Sequence, residues 1–351
     1  MSRVAVETQD PSTSVAGDVV APALPENKQT AYKSRRRSGD RVRLVVISTP
    51  RSGNTWFRFL LHSAFGLEQH AVHNPAELDW SKLPERFVLQ LHWPPTEELR
   101  KQLAAHDFQP ITLARHPLGV LISILHYVPN HANTARWLES AGGDESTIVG
   151  MLPRSSAFLR YATGPRAAAL LGVSRDWWTI PGACRIRYEE LVDAPVGTLN
   201  RLAAELGIEP VVPLEQVVDT FQIDRLRDAR SDQHAWRGDP DLWKTLLPTA
   251  EAEQICSAHD DVMRTLGYQC DADPALEPAQ ADLNWLHAEF ATLWDHVNRL
   301  KERLAVLDQA EERRRRGVFG RLKQAFSERF PRAVGWLKLR RRALGDQPAD
   351  R

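Results

Sequence analysis

The 351 residues carry no net formal charge at neutral pH, with 42% apolar and 26% charged side chains. That composition suits a globular protein with a substantial core, and it excludes a global field that would gather nucleic acid. The charge is nevertheless uneven: between Arg313 and Arg342 stand twelve Lys/Arg and one acidic residue, Glu328.

Three cysteines, Cys184, Cys256 and Cys270, have neither metal nor redox spacing. A low, odd count suits a reducing compartment. No apolar run reads as a signal peptide, and none reaches membrane-spanning length. The sequence therefore reads as cytoplasmic, with peripheral membrane contact through its basic end left open.

Residues 1–40 are rich in Ser, Thr, Pro and Ala and end at Arg35-Arg36-Arg37. They read as a disordered tail. A folded domain is expected over 41–270. Leu44-Val45-Val46-Ile47 is a continuous apolar run, as in a strand buried on both faces. A loop with Pro50 and Gly53 follows. Then Trp56, Phe57, Leu60, Leu61 and Ala64 recur at helical spacing until Gly66. The same grammar repeats along the chain: strands at Phe87–Leu89, Ile111–Ala114 and Arg185–Tyr188, helices at Glu97–Ala105, Leu118–Tyr127 and Pro195–Leu206. Alternation of this kind predicts a three-layer α/β fold around a central parallel sheet. Residues 130–180 lack a clean period and read as an irregular insertion over the active face.

Residues 281–310 differ from the rest. Leu283, Leu286, Phe290, Leu293, Val297, Leu300, Leu304 and Leu307 alternate steps of three and four, an a/d seam. Such a stripe must be buried, either in a homo-oligomeric or hetero-associated coiled coil or back against the domain. Over 311–351, Phe319, Phe326 and Trp336 lie among basic residues. An anionic membrane surface reached through 313–342 and a merely solvated extension are both open readings, with nucleic acid a poorer choice.

The chemistry sits between the first strand and its helix. In Thr49-Pro50-Arg51-Ser52-Gly53-Asn54-Thr55-Trp56, a helix N-terminus offers unpaired N–H groups and partial positive charge to an anion. Gly53 allows close approach. Ser52, Asn54 and Thr55 add short donors, and Arg51 a fixed charge. The Walker pattern G-x-x-x-x-G-K-S/T is absent, which argues against the rival reading of a P-loop phosphotransferase. A second anion site is indicated by Arg115-His116-Pro117, at a strand end, with Ser123 on the next helix eight residues after Arg115.

These segments resemble PAPS-dependent sulfotransferases, enzymes that use 3′-phosphoadenosine 5′-phosphosulfate. The first run resembles that family's Pro-Lys/Arg-Ser-Gly-x-Thr-Trp loop for the 5′-phosphosulfate, and the second its Arg-x-Pro-x-x-x-x-x-Ser element for the 3′-phosphate. The resemblance implies a nucleotide-kinase-like sulfotransferase fold with PAPS as co-substrate and no metal. It implies that Arg51 reaches the leaving oxygen, that Trp56 packs on adenine, and that Arg115 and Ser123 hold the 3′-phosphate. A change at Arg115 is then expected to spare nucleotides lacking that phosphate. The segment from Trp236 to Lys244 resembles the family's late loop. Arg237 and Gly238 fall at its phosphate-binding positions, while Trp236 and Asp241 depart from the pattern. Arg187-Tyr188-Glu189-Glu190-Leu191 resembles a strand motif whose Tyr lies near the adenine, and Phe221 is a further candidate adenine contact.

Sulfonyl transfer needs a base for the acceptor proton and positive charge on the departing nucleotide. Leu91-His92-Trp93-Pro94 resembles the family's Lys-x-His-x-Pro element, which makes His92 the base and places Gln90 where a Lys is usual. His116, His126, His131, Glu97 and Glu98 are weaker rivals. The expected acceptor is a hydroxyl or amine on a small molecule, a glycan or a lipid-linked molecule. Loss of the usual Lys keeps open a nucleotide-binding scaffold that works through its coiled coil and basic end.

Overall fold

The computed structural model describes residues 41–131, 134–222 and 238–329. The basic residues beyond Arg329 and the tail before Arg41 lie outside them. The chain divides into two units, Met1–Glu289 and Phe290–Arg351.

The first unit is built on a five-stranded sheet in which every pairing is parallel. Its strands are β1 (Val42–Ile47), β2 (Glu68–Ala71), β3 (Arg86–Leu91), β4 (Phe108–Ala114) and β5 (Cys184–Arg187), in the spatial order β2-β3-β1-β4-β5. Alternation along β1 explains the layering. Leu44 and Val46 join one core cluster, with Phe57, Leu60 and Leu61 of α1 (Asn54–Phe65) and Leu199 and Leu202 of α7 (Pro195–Leu206). Val45 and Ile47 join the other. That cluster holds Leu99 and Leu103 of α2 (Glu97–Ala105), Leu121 and Leu125 of α3 (Pro117–Tyr127), and Leu170 and Trp177 of α5 (Pro165–Trp178). Apolar side chains thus leave both faces of β1, as a doubly covered parallel strand requires. The three-layer α/β architecture is the one the sequence predicts.

The stretch 130–180 is more regular than the sequence suggests. Short 3-10 turns occupy 134–148, but α4 (Ser156–Ala162) and α5 follow. Pro165 opens α5 after Gly164, and Leu170, Leu171, Val173 and Trp177 are all buried. The insertion is therefore partly a scaffold layer. The unit is completed by α6 (Tyr188–Asp193), α8 (Leu214–Thr220), α9 (Thr249–Ala258) and α10 (Asp260–Leu266).

The last helix, α11, spans Pro278–Arg329. Its first turns bury Ala281, Trp285 and Ala288, so they belong with the first unit. In the second unit, Phe290, Leu293, Trp294, Leu300, Leu304 and Leu307 are exposed. No described helix is long and apolar enough to cross a membrane.

Candidate active site at the carboxyl ends of the strands

Every strand-end candidate from the sequence lies at the carboxyl edge of the sheet, where open α/β sheets bind ligands. The loop after β1 is fixed by buried hydrogen bonds. The Thr49 amide donates to Ser174 Oγ at 2.8 Å, and Thr49 Oγ1 donates to the Leu170 carbonyl at 2.8 Å. Ser174 Oγ in turn donates to the Leu113 carbonyl at 2.7 Å, which ties the loop to β4 through α5. Asn54 Nδ2 donates to the Thr49 carbonyl at 2.8 Å, and the Ser48 hydroxyl donates to Asn54 Oδ1. The Asn54 side chain is therefore spent on holding the loop, and what it can offer a ligand is its backbone.

Gly53 occupies the N-cap of α1 at φ 95°, with no side-chain cap and no acidic residue in the first turn. A helix N-terminus of that kind turns its first backbone N–H groups and a partial positive charge toward an anion. A Cβ on Gly53 would lie 2.6 Å from Tyr188 Cδ2, so the glycine admits the Tyr188 ring as well as the turn. Ser52 Oγ is buried and has no hydrogen-bond partner among the described residues. A buried hydroxyl of this kind is able to accept a ligand's hydrogen bond or donate one to it. Thr55 is half-buried in the first turn beside it.

The second site clasps the first. Arg115 Nη1 donates to the Arg51 carbonyl at 3.0 Å, and Arg51 Nε donates to Ser123 Oγ at 3.2 Å. The Arg115 guanidinium lies 4.5 Å over the Tyr188 ring. Its Nε is buried without a partner among the described residues. Arg51 itself has φ 68°, a left-handed backbone that a non-glycine residue keeps only when its surroundings impose it.

Tyr188 donates its hydroxyl to the Gly238 carbonyl at 2.8 Å, joining the late loop to the site. Arg237 and Trp236 lie outside the described residues. Trp243 is buried and stacks on His116 at 4.4 Å, while Lys244 pairs with Asp271 at 2.6 Å. That half of the loop serves packing. Trp56 donates its indole N–H to the Phe221 carbonyl at 2.7 Å. The Phe221 ring, 1% exposed, lies in the core beside Phe59. It has no open face for adenine, and its carbonyl positions Trp56.

His92 is buried at the end of β3. Its Nδ1 lies 2.7 Å from the Ser48 carbonyl. Because a carbonyl only accepts, Nδ1 carries the proton and Nε2 keeps its lone pair, as a base requires. Gln90 Nε2 sits 3.4 Å from that lone pair. Burial pushes the imidazole down to about 4, against the Ser48 carbonyl, and the charges of His73, Arg51 and Arg58 add to the fall. His92 is therefore neutral near pH 7. Two neighbours were not legible in the sequence: His73, brought in by the Val72 amide donating to the Gln90 carbonyl at 3.1 Å, and Arg58, buried on α1. Both occupy ordinary-looking positions on an edge segment and a helix.

The rival bases are occupied elsewhere. His116 caps α3 through Nδ1, which accepts from the Leu118 amide at 3.2 Å, while Nε2 lies 3.0 Å from the Gln269 carbonyl. His126 meets Glu289. His131 stacks on Tyr127 at 3.7 Å. Glu97 pairs with Lys101 at 2.6 Å on the exposed first turn of α2, where Glu98 is also exposed.

Searches against protein-family models and against curated proteins return no match. Among solved structures, the chain is similar to a mouse sulfotransferase complexed with PAP, at 15% identity and a TM-score of 0.49, over 64% of this chain and 84% of that one. It is also similar to a retinol dehydratase in complex with androsterone and inactive cofactor PAP, at 14% identity and 0.43, over 67% and 82%. A sulfotransferase domain from the curacin biosynthetic pathway matches at 16% identity and 0.37, over 65% and 98%. Likenesses this distant leave the chemistry to be argued from the residues of this chain.

Proposed function

We propose that the chain transfers a sulfonyl group from PAPS to an acceptor hydroxyl or amine. One observation carries the reading: the two phosphate-type segments interlock at the strand ends and leave Ser52 Oγ and Arg115 Nε buried without partners among the described residues. A ligand with two separate anionic groups would satisfy both, and PAPS carries a 3′-phosphate and a 5′-phosphosulfate. Ser52, Gly53, Asn54 and Thr55 would meet the 5′ end through backbone and hydroxyl donors. Arg115 and Ser123 would meet the 3′-phosphate, with Arg237 as a further donor, and Trp56 and Tyr188 would border the adenine.

In the transfer, the acceptor oxygen or nitrogen attacks sulfur while His92 Nε2 takes the acceptor proton. The bond from sulfur to the bridging oxygen breaks. The nucleotide leaves as 3′,5′-bisphosphate (PAP), its new charge opposed by Arg51. A bound polyanion raises the imidazole's affinity for that proton, which offsets the effect of burial on His92. The acceptor is a small molecule or a glycan. The apolar seam from Leu283 to Leu307 supports self-association, and the basic stretch 313–342 supports docking on an anionic membrane surface.

Thermal unfolding tests the donor. PAP at about a hundred times its Kd should stabilise the chain by about 2.7 kcal/mol, with ATP much weaker. Stronger stabilisation by magnesium-ATP than by PAP would replace this reading with a phosphotransferase.

A further inference from the structure

The Arg51 side chain meets a residue outside both anion-binding segments. Arg115 holds the Arg51 carbonyl, and the Arg51 guanidinium meets two residues of α3. One is Ser123 Oγ, 3.2 Å from Nε. The other is the face of Tyr127, whose ring centroid lies 4.3 Å from Arg51 Cζ. Tyr127 is the last residue of α3, four positions after Ser123, so both groups rise from one face of that helix.

The Tyr127 ring is itself braced. The His131 ring stacks on it at 3.7 Å and 7°, and His131 Nδ1 lies 3.0 Å from the Tyr127 carbonyl. Trp137 stacks on it at 5.3 Å and 28°. Trp137 is buried, and its carbonyl accepts from Arg166 Nη2 at 2.8 Å. Arg166 pairs with the fully buried Glu145 at 2.8 Å. A continuous set of contacts therefore runs from the Glu145–Arg166 pair through Trp137 and Tyr127 to Arg51.

We propose that Tyr127 is a positioning residue, whose ring holds the Arg51 guanidinium ready for the 5′ end of the donor. A guanidinium stacks on an aromatic face through the ring quadrupole. An arginine ordered in advance loses less freedom when the anion arrives. Trp137 and Glu145 of the insertion thereby connect to the donor loop through Tyr127. This rests on the donor assignment made above.

The test is calorimetric binding of PAP and of adenosine 3′-phosphate, which lacks the 5′ group. Tyr127→Leu should weaken PAP about two- to thirtyfold, the range of a cation–π contact, and leave adenosine 3′-phosphate unchanged. Tyr127→Phe should behave as wild type. In an Arg51→Met background, Tyr127→Leu should have no further effect. If Tyr127→Leu fails to fold, Tyr127→Met provides the same comparison at closer volume. Equal weakening of both ligands, or a Tyr127 effect that persists without Arg51, would overturn the proposal while sparing the donor assignment. Wild-type protein that binds neither nucleotide would overturn both.

Discussion

Replacing Arg115 with Ala removes two different attachments. Nε is buried with no partner among the described residues, so it is available to a 3′-phosphate. Nη1 holds the Arg51 carbonyl at 3.0 Å and so fixes the loop that meets the 5′ end. A charge-assisted bond to phosphate contributes about 1.5–3 kcal/mol, and the bond to the Arg51 carbonyl about 1 kcal/mol through the order of the loop. PAP should therefore lose ~2.5–4 kcal/mol, or roughly 60- to 900-fold in affinity. Adenosine 5′-phosphosulfate, which lacks the 3′-phosphate, should lose about 1 kcal/mol, or roughly fivefold. The expectation from the resemblance, that such a ligand is spared, leaves out the Arg115–Arg51 clasp. Titration calorimetry of both ligands at one fixed salt concentration measures the two losses, since phosphate contacts are screened by salt. Arg115→Lys should recover part of the charge but not the two-pronged geometry. Equal losses for both ligands would refute the assignment of Arg115 to the 3′-phosphate. No loss for the 5′ ligand would refute the clasp.

Gly53→Ala combines φ 95° with a Cβ 2.6 Å from Tyr188. It should cost ~2–4 kcal/mol in urea unfolding and weaken PAP binding. Ser174→Val would leave the Thr49 amide and the Leu113 carbonyl unpaired, costing about 2–3 kcal/mol of stability. His92→Ala should cut turnover by about 10²–10⁴ with PAP affinity nearly intact, once an acceptor screen supplies the assay; near-normal turnover would assign the proton elsewhere. His92 also links stability to pH. Burial holds its folded pKa at about 4, below the ordinary imidazole value of about 6.5. The unfolded chain therefore binds a proton that the folded chain refuses as pH falls from about 6.5 to 4, and stability drops by up to about 3 kcal/mol over that window. His92→Gln should flatten that part of the profile in urea melts at pH 7 and 4.5, and an unchanged slope would place the titration on other groups.

The central strands were legible because burial on both faces leaves an apolar run, as in Leu44–Ile47 and Ile111–Ala114. The edge strand β2 was not, since its four residues, Glu68 to Ala71, are mostly polar and only partly buried. Helix α5 was hidden for the opposite reason: with Leu170, Leu171, Val173 and Trp177 all buried, it has no single stripe to announce a helix. The loop around Gly53 was readable as a candidate anion cradle because a helix N-terminus makes its donors locally, within a few residues. What orients those donors is not local. Thr49 meets Ser174 across 125 positions, and Arg51 meets Ser123 across 72. Nothing in the composition of either segment names its partner. Phe221 and Tyr127 mark the same limit from two sides. Both are aromatic residues ending helical stretches. One is buried in the core beside Phe59, while the other lies against the guanidinium of Arg51. The difference follows from which elements the sheet order brings together. Local sequence therefore supplies the donors of the site, and the long-range contacts fixed by topology decide which of them a ligand can reach.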